Sequence, residues 1–280
     1  MWHRGGVRTT LFLPVCLLPA TVLFAGCATT PASAPAPVAV ESLTKTGPAQ
    51  AVPSASPVSS VAPPVAGRTV VLDPGHNGGN AAHLEQITAQ VPDGRGGAKA
   101  CNTTGTAAAS GYTEHEFTWD VTQRVREALS ARGVRVILTR DDDTGVGPCV
   151  DRRAAIGNDA MADAVVSIHA DGNTGADAHG FHIAYADPPL NPVQAEAGVR
   201  LATALRDAMV DGGAVPATYV GSAGLDPRAD LAGLNLAQRP SALVECGNMR
   251  SGIDAELIET PAGRARYAEL IAAGIVAFLG

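Results

Sequence analysis

Two histidines and one glutamate close short apolar runs in this sequence. His76 ends the run VVLDPGH, His169 ends VVSIH, and Glu245 ends ALVE. Imidazole and carboxylate groups are costly at the end of a buried strand unless they are paired or bound to a metal. Together the three residues favour a metal site or an acid–base site. For each one taken alone, a solvated loop histidine or a salt-bridged glutamate is the alternative.

The elements that must carry these residues alternate between strands and helices. β-Branched runs predict strands at residues 69–72, 135–139, 164–169, 180–185 and 242–246, with a weaker sixth strand at 218–220. Amphipathic stretches predict helices at residues 114–131, 150–162, 192–210 and 263–278. This alternation predicts an α/β fold in which functional groups gather beyond the carboxyl ends of the strands.

The first 67 residues have the composition of a leader and a linker. Arg4 and Arg8 precede a charge-free stretch, which predicts a cleaved signal peptide over residues 1–26. Pro14 and Pro19 interrupt that stretch, which argues against the alternative of a transmembrane anchor. The protein is therefore expected to be exported to the periplasmic or cell-wall space.

Cys27 follows the small residues Ala25 and Gly26, as in a bacterial lipobox, although Phe24 departs from that pattern. Lipidation of Cys27, which would anchor the chain to the outer face of the cytoplasmic membrane, is favoured over plain secretion. Residues 27–67 predict an extended Pro/Ala/Ser-rich linker, since residues 28–67 hold eight prolines and no aromatic residue. Residues 68–280 are left as one well-packed domain.

Cysteines of an exported protein tend to form disulfides. One of them, Cys101, lies in residues 77–112, a long Gly-, Ala- and Asn-rich insertion. A loop of this length is usually functional or cross-linked. Cys101 and Cys149 are the preferred disulfide, and Cys246 is expected to be a buried, unpaired thiol. Among Cys101, Cys149 and Cys246, three pairings remain possible.

The formal net charge of −7 does not indicate a nucleic-acid partner, and we expect a monomer.

Five ordered motifs then resemble a known family. They are LDPGH at residues 72–76, GYTE at 111–114, LTR at 138–140, AD through SIHA at 162–170 and LVECG at 243–247. Over nearly all of residues 68–280, the sequence resembles the zinc-dependent N-acetylmuramoyl-L-alanine amidases (the amidase-3 type), in particular the compact actinobacterial peptidoglycan amidases.

The resemblance implies a single domain with a twisted, mainly parallel six-stranded sheet between helices, and one catalytic Zn²⁺. Its ligands would be His76, Glu114 and His169, with a fourth position open for water as catalytic zinc requires. Glu116 is not chosen as the ligand because it fits a capping box with Thr113. The resemblance gives Glu245 the role of catalytic base, which takes a proton from water and passes it to the leaving amine.

Some residues near this site depart from the family pattern or have two interpretations. Asn248 and Asp171 stand where many relatives carry Phe and Asn, which leaves fine substrate preference open. The site-edge histidines are either substrate contacts or ordinary surface and core residues: His115, His179 and His182. Three arginines either meet substrate carboxylates or form salt bridges: Arg140, Arg153 and Arg228.

The function implied by the resemblance is hydrolysis of the amide between N-acetylmuramic acid and L-alanine, which releases stem peptides from peptidoglycan or muropeptides. One alternative is a zinc peptidase that cuts within the stem peptide. Another is a non-catalytic cell-wall-binding module, although such a module is expected to lack a ligand or the base.

Overall fold

The computed structural model describes residues 65–280. The predicted signal peptide, Cys27 and most of the predicted linker lie outside this part of the chain. The strands of the described part are β1 (Thr69–Pro74), β2 (Gln90–Pro92), β3 (Ala98–Ala100), β4 (Arg135–Leu138), β5 (Ala164–Asp171), β6 (His182–Ala186), β7 (Leu225–Arg228) and β8 (Ser241–Asn248). Its α-helices are α1 (Leu84–Ile87), α2 (Glu114–Ser130), α3 (Val150–Asp159), α4 (Val199–Asp211), α5 (Ala232–Asn235), α6 (Gly252–Ile258) and α7 (Pro261–Leu279).

Six strands form the central sheet in the order β4-β1-β5-β8-β6-β7. Strands β4, β1, β5 and β8 are parallel, whereas β6 runs antiparallel to β8 and carries β7 parallel to itself. The predicted α/β fold with a mainly parallel six-stranded sheet is therefore confirmed. Because β1 has β4 on one side and β5 on the other, a crevice opens at the carboxyl ends of these strands.

The two faces of the sheet differ in what covers them. Helices α2, α4 and α7 pack on one face, where the main apolar core includes Leu72, Ile168 and Val244. Helices α3 and α5 cover part of the other face. Successive strand residues point to opposite faces, so the neighbours Ser167, His169 and Glu245 lie on the side of α3 and α5.

Helix boundaries follow the local capping signals. Helix α2 starts after Thr113, which forms the predicted capping box with Glu116. Helix α7 starts after Thr260, whose side chain accepts a hydrogen bond from Gly263, and Pro261 occupies its first position. The predicted helix at 192–210 begins with a π-helical turn, Gln194–Gly198, before α4.

One predicted strand is wrong. Residues 218–220 form bends, and the sixth strand of the sheet is β7 instead. Strand β7 contains Pro227 and Asp226, which have low β-propensity. Within residues 65–280 it is the edge strand of the sheet, with β6 as its one neighbouring strand, and a proline is tolerated there because one side needs no ladder hydrogen bond.

The insertion at residues 77–112 has more structure than its composition indicates. It contains a 3₁₀ turn at Asn80–Ala82, helix α1, and the hairpin of β2 and β3.

A disulfide joins Cys101 to Cys149 in the structure, and Cys246 is buried and free. Both predictions for the cysteines are thus confirmed. Within residues 65–280, no helix combines the length and the apolar character that a membrane span requires.

Candidate active site

The turn that follows β1 is held by two buried arginines. Arg153 donates to the carbonyl oxygens of Pro74 and His76, both at 2.7 Å. Arg140 donates to the carbonyl oxygens of Pro74 and Gly75 at 3.1 and 3.4 Å. His76 itself has a φ of 59°, a left-handed conformation that costs a non-glycine residue free energy. The two guanidinium groups therefore fix a turn that would not hold by local preference alone.

Asp73 links this turn to the neighbouring strands. Its carboxylate accepts hydrogen bonds from Thr139 Oγ1 at 2.5 Å, Ser167 Oγ at 2.6 Å and Arg153 Nη1 at 2.7 Å. Burial alone would raise the pKa of Asp73, but the Arg153 charge and the two hydroxyl donors outweigh it and lower the pKa from 3.8 to about 2. Asp73 thus stays ionised and ties β1, β4, β5 and α3 together.

Glu114 reaches the site from the first turn of α2 and is buried. Its Oε2 accepts the backbone N–H of Thr106 at 2.9 Å, and its Oε1 lies 3.3 Å from the backbone nitrogen of Ala170. Glu116 points elsewhere, since its carboxylate accepts the backbone N–H of Thr113 at 3.1 Å. The capping box therefore separates the two glutamates as the sequence predicts.

The structure brings His76, Glu114 and His169 together. Oε1 of Glu114 lies 3.0 Å from Nε2 of His76 and 2.9 Å from Nδ1 of His169. One ligand-type atom from each of the three residues falls within 4.8 Å of the others. Three such donors around one point are the set that a catalytic zinc ion uses when it keeps an open position.

The second ring nitrogen of His76, Nδ1, also has a contact that suits a metal ligand. Nδ1 of His76 lies 3.2 Å from both the carbonyl oxygen and Oγ1 of Thr103; because the carbonyl oxygen can only accept a hydrogen bond, it favours the tautomer with the proton on Nδ1. Nε2 then presents its lone pair toward Glu114. A backbone carbonyl that fixes the tautomer of a histidine is the usual outer contact of a metal ligand.

The charges of the three groups are strongly coupled. Burial works against ionisation of Glu114, yet the two imidazoles beside it hold its pKa well below the ordinary range. Burial likewise disfavours protonation of His76, but the Glu114 carboxylate raises the pKa of His76 above 6.5. The site is therefore an anionic carboxylate that attracts positive charge, which a proton on a histidine or a divalent cation can supply.

Glu245 lies beside His169, as its direct partner in the register of β8 and β5. Its Oε2 is buried and has no hydrogen-bond partner among the described residues. Burial, together with the negative charges of Glu114 and Asp171, raises the pKa of Glu245 well above its ordinary value of 4.5. The next residue, Cys246, belongs to the apolar core on the opposite face. Glu245 is thus a carboxyl group poised for proton transfer.

A cavity of about 210 Å³ opens beside His76 and His169 on this face of the sheet. Its walls come from α3, α5, β5 and β8, and they include Ala154, Leu234 and Leu243. A molecule bound in this cavity would contact both histidines and the apolar side chains of the walls.

The other residues singled out in the sequence have more varied positions. His115 pairs with Asp143 at 2.8 Å, and His179 binds the backbone of Asp177 on the surface. Arg140 and Arg153 are buried, hold the turn after β1 as described above, and form ion pairs with Asp143 and Asp73. Arg228 pairs with Asp226 and Asp230. The salt-bridge interpretation therefore describes all three arginines. His182 is buried beside Glu245 and is treated further below.

Asn248 is also buried, and its role is structural. Its Nδ2 donates to the carbonyl oxygens of Asn173 and Ala178 at 2.9 and 2.7 Å. The loop after β5 is thereby fixed next to the site. Sequence reasoning missed the backbone groups of Thr103 and Thr106, because a backbone contact leaves no signal in residue type.

Comparisons with known proteins show which proteins this chain resembles. Residues 70–277 match the model of a family described as N-acetylmuramoyl-L-alanine amidase. A curated N-acetylmuramoyl-L-alanine amidase of Mycobacterium tuberculosis is 48% identical over 231 residues, which are 82% of this chain and 94% of the relative.

Solved structures show the same relationship. The crystal structure of the N-acetylmuramyl-L-alanine amidase Ami1 of Mycobacterium smegmatis is similar with a TM-score of 0.75 and 53% identity, over 77% of this chain and 98% of that one. The amidase AmiC2 of Nostoc punctiforme is similar with a TM-score of 0.58 and 26% identity, over 76% and 97% of the two chains.

Proposed function

This chain belongs to the N-acetylmuramoyl-L-alanine amidase family, and on that premise we propose that it is a zinc-dependent peptidoglycan hydrolase. The bond cleaved is the amide between the lactyl group of N-acetylmuramic acid and L-alanine, so that stem peptides are released. The observation that carries the zinc proposal is the convergence of His76, Glu114 and His169 on one point.

The donor set fits zinc in three respects. Two imidazole nitrogens and one carboxylate oxygen are ligands that zinc accepts, and no thiolate is among them, as in catalytic sites. The backbone of Thr103 orients His76, and the backbone of Thr106 orients Glu114. A bound zinc ion would act as a Lewis acid on the scissile carbonyl and would lower the pKa of a water molecule to about 7.

The chain's own residues supply the remaining chemistry. Glu245, deprotonated, accepts the proton of the attacking water and delivers it to the nitrogen of the amide, whose bond to the lactyl carbonyl carbon then breaks. Its position beside His169 keeps it within one strand spacing of the ligand set. Since no hydrogen bond within the described residues uses Oε2 of Glu245, that oxygen keeps its capacity to accept a proton.

Arg153, Asp73 and Arg140 support the site through the turn that follows β1. They fix the turn on which His76 sits, so the ligand is held before the substrate arrives. Such preorganisation lowers the cost of forming the reactive arrangement. The nearby cavity is the proposed place for the part of the muramoyl-peptide that flanks the scissile bond.

The direct test is cleavage of muramyl dipeptide by the purified protein. We expect free N-acetylmuramic acid and L-alanyl-D-isoglutamine by mass spectrometry, one zinc ion per chain by metal analysis, loss of activity with a chelator and recovery with zinc. Cleavage only at peptide–peptide bonds would identify a peptidase instead. Absence of zinc from active protein would contradict the metal proposal.

A variant pair separates the base from the ligands. Glu245→Gln keeps the shape of the side chain but cannot accept a proton, so its kcat should fall by about 10²- to 10⁴-fold while its zinc content is unchanged. Glu256→Gln on the exposed side of α6 is the matched control and should match the parent. A Glu245→Gln enzyme as active as the parent would rule out the base role.

The exported location and the tether are part of the same proposal. A peptidoglycan substrate lies outside the cytoplasm, which agrees with the predicted signal peptide at residues 1–26. Fractionation of cells that express the parent or a Cys27→Ala variant tests the anchor, since only the parent should remain with membranes after a salt wash. Equal release of both would leave plain secretion as the route. Sedimentation of the purified protein tests the expected monomer.

A further inference from the structure

Three buried polar atoms without a hydrogen-bond partner lie next to one another at the edge of the proposed site. Of six such atoms in residues 65–280, three are Oε2 of Glu245, Nδ1 of His182 and the hydroxyl of Tyr219. His182 is the direct partner of Glu245 in the register of β6 and β8. The rings of His182 and Tyr219 lie edge to face, 6.0 Å apart. Because buried polar groups are nearly always satisfied, such a concentration calls for a ligand.

His182 is held rigidly at this place. It is only 3% exposed, and it opens β6, the strand that runs antiparallel to β8. Nε2 of His182 lies 3.8 Å from Oδ2 of Asp226, which is itself paired with Arg228. The Asp226 carboxylate favours the tautomer with the proton on Nε2, which leaves Nδ1 as a hydrogen-bond acceptor.

Tyr219 is carried by the loop between α4 and β7, and that loop is fixed to the start of β6. The backbone nitrogen of Thr218 donates to the carbonyl of His179 at 3.0 Å, and Ala217 donates to that of Phe181 at 2.7 Å. Burial and the nearby Asp171 carboxylate raise the pKa of Tyr219, while burial lowers that of His182. At neutral pH the phenol is therefore a hydrogen-bond donor and the imidazole is uncharged.

The strand order places these groups in a row across the sheet. His169, Glu245 and His182 occupy neighbouring positions on β5, β8 and β6, at a strand spacing of about 4.8 Å. The proposed metal ligand is on one side of the base, and His182 is on the other. In amide hydrolysis the water oxygen joins the carbonyl carbon, the C–N bond breaks, and the nitrogen leaves with an added proton. That nitrogen must lie within reach of Glu245.

We propose that His182 and Tyr219 form the binding subsite for the amine side of the scissile amide, that is, for the first residue of the stem peptide. Nδ1 of His182 accepts a hydrogen bond from the leaving nitrogen, and the Tyr219 hydroxyl donates to the carbonyl oxygen of the same residue. The nearby carboxylates of Asp171 and Asp226 favour the ammonium group that forms. This subsite rests on the proposed function and adds to it two residues that bind substrate.

The test uses the full-length enzyme, muramyl dipeptide and the product L-alanyl-D-isoglutamine as an inhibitor. Tyr219→Phe removes only the hydroxyl. His182→Asn retains a polar group near the position of Nδ1, whereas His182→Gln retains one near Nε2. We expect kcat/KM to fall about tenfold in Tyr219→Phe and His182→Gln, with weaker inhibition by the product. His182→Asn should recover part of both losses.

Two controls distinguish binding from a structural role and from failure of the proposed function. Tyr185→Phe alters a tyrosine of β6 that packs against the core on the opposite face, and it should match the parent. Zinc content and melting temperature should be the same in all variants. Parent activity and zinc content, measured first, test the proposed function separately. If Tyr219→Phe and His182→Gln both stay within twofold of the parent in kcat/KM and product inhibition, the subsite does not exist.

Discussion

Gly75 lies directly against the imidazole of His169. A β-carbon added at residue 75 would stand 2.6 Å from Nδ1 of His169, which is the nitrogen that faces Glu114 at 2.9 Å. Since real β-carbons do not approach other atoms this closely, any side chain at residue 75 must displace the proposed ligand. The glycine between Pro74 and His76 is thus required by the position of a residue nearly a hundred positions away.

Gly75→Ala is therefore expected to weaken zinc binding. The added methyl group pushes His169 away from Glu114, and the loss of one well-placed ligand should reduce zinc affinity and kcat/KM by at least about tenfold, since even outer contacts of a metal site contribute 10–100-fold. Titration of the apoprotein with zinc measures the effect. Gly252→Ala, where a β-carbon meets no atom within 4 Å, is the control. Equal zinc affinity in both variants would contradict the packing argument.

The pH profile of kcat/KM should carry the signature of Glu245. Burial, Glu114 and Asp171 raise its pKa well above 4.5, and the base works only when it is deprotonated. Activity should therefore fall about tenfold per pH unit along the acid limb of the profile. Asp171→Asn removes one negative charge and should move this limb to lower pH. The exposed Asp177→Asn should leave it in place, and an unshifted limb in Asp171→Asn would count against the assignment.

Asp73 should make the fold sensitive to acid. Its pKa is about 2 in the folded chain against an ordinary 3.8, so its ionised form stabilises the fold above pH 4. This contribution is roughly 2 kcal/mol at neutral pH and disappears as the pH falls from about 4 to 2. Asp73→Asn should be less stable at pH 7, because Arg153 loses its buried partner, and its unfolding free energy should change less between pH 4 and 2. Urea unfolding of parent, Asp73→Asn and the exposed Asp141→Asn measures both effects.

Reduction of the disulfide should affect both stability and the metal. The bond between Cys101 and Cys149 spans 48 residues, a loop whose closure contributes roughly 4 kcal/mol in the chain-entropy model, or about 10 °C in melting temperature for a domain of this size. Cys101 is also two residues before Thr103, the backbone contact of His76. The double variant Cys101→Ser/Cys149→Ser should thus melt earlier and hold zinc less tightly. Unchanged melting and zinc affinity would show that the insertion is held without its cross-link.

Much of the candidate site could be predicted because its residues end periodic strands. His76, His169 and Glu245 follow apolar runs whose carboxyl ends meet at one edge of a mainly parallel sheet. Glu114 needed the family motif, since its position at the start of α2 could equally belong to a residue that stabilises the helix dipole. The side chains alone indicated the ligand candidates, whereas the backbone groups that orient them became visible only in three dimensions.

Other features could not be predicted because they depend on long-range pairing. Strand β7 has proline and aspartate and looks like a loop, yet pairing with β6 makes it a strand. The approach of His182 to Glu245 depends on the antiparallel direction of β6, which residue type does not encode. Tyr219 belongs to a segment whose β-branched neighbours predicted a strand, but the loop that carries it is held by backbone contacts to residues 179–181.

The division of the sheet into a packed face and a chemical face has a consequence for engineering. Along β8, Val244 and Cys246 belong to the core, whereas Leu243 lines the cavity and Glu245 lies beside the proposed ligand His169. Successive positions of this strand are therefore constrained by different requirements: core packing on one face, and substrate binding and catalysis on the other. A library that keeps Glu245 and randomises cavity-lining positions such as Leu243 should change substrate preference with little loss of thermal tolerance, whereas substitutions confined to the core-facing positions should change thermal tolerance more than the choice of bond.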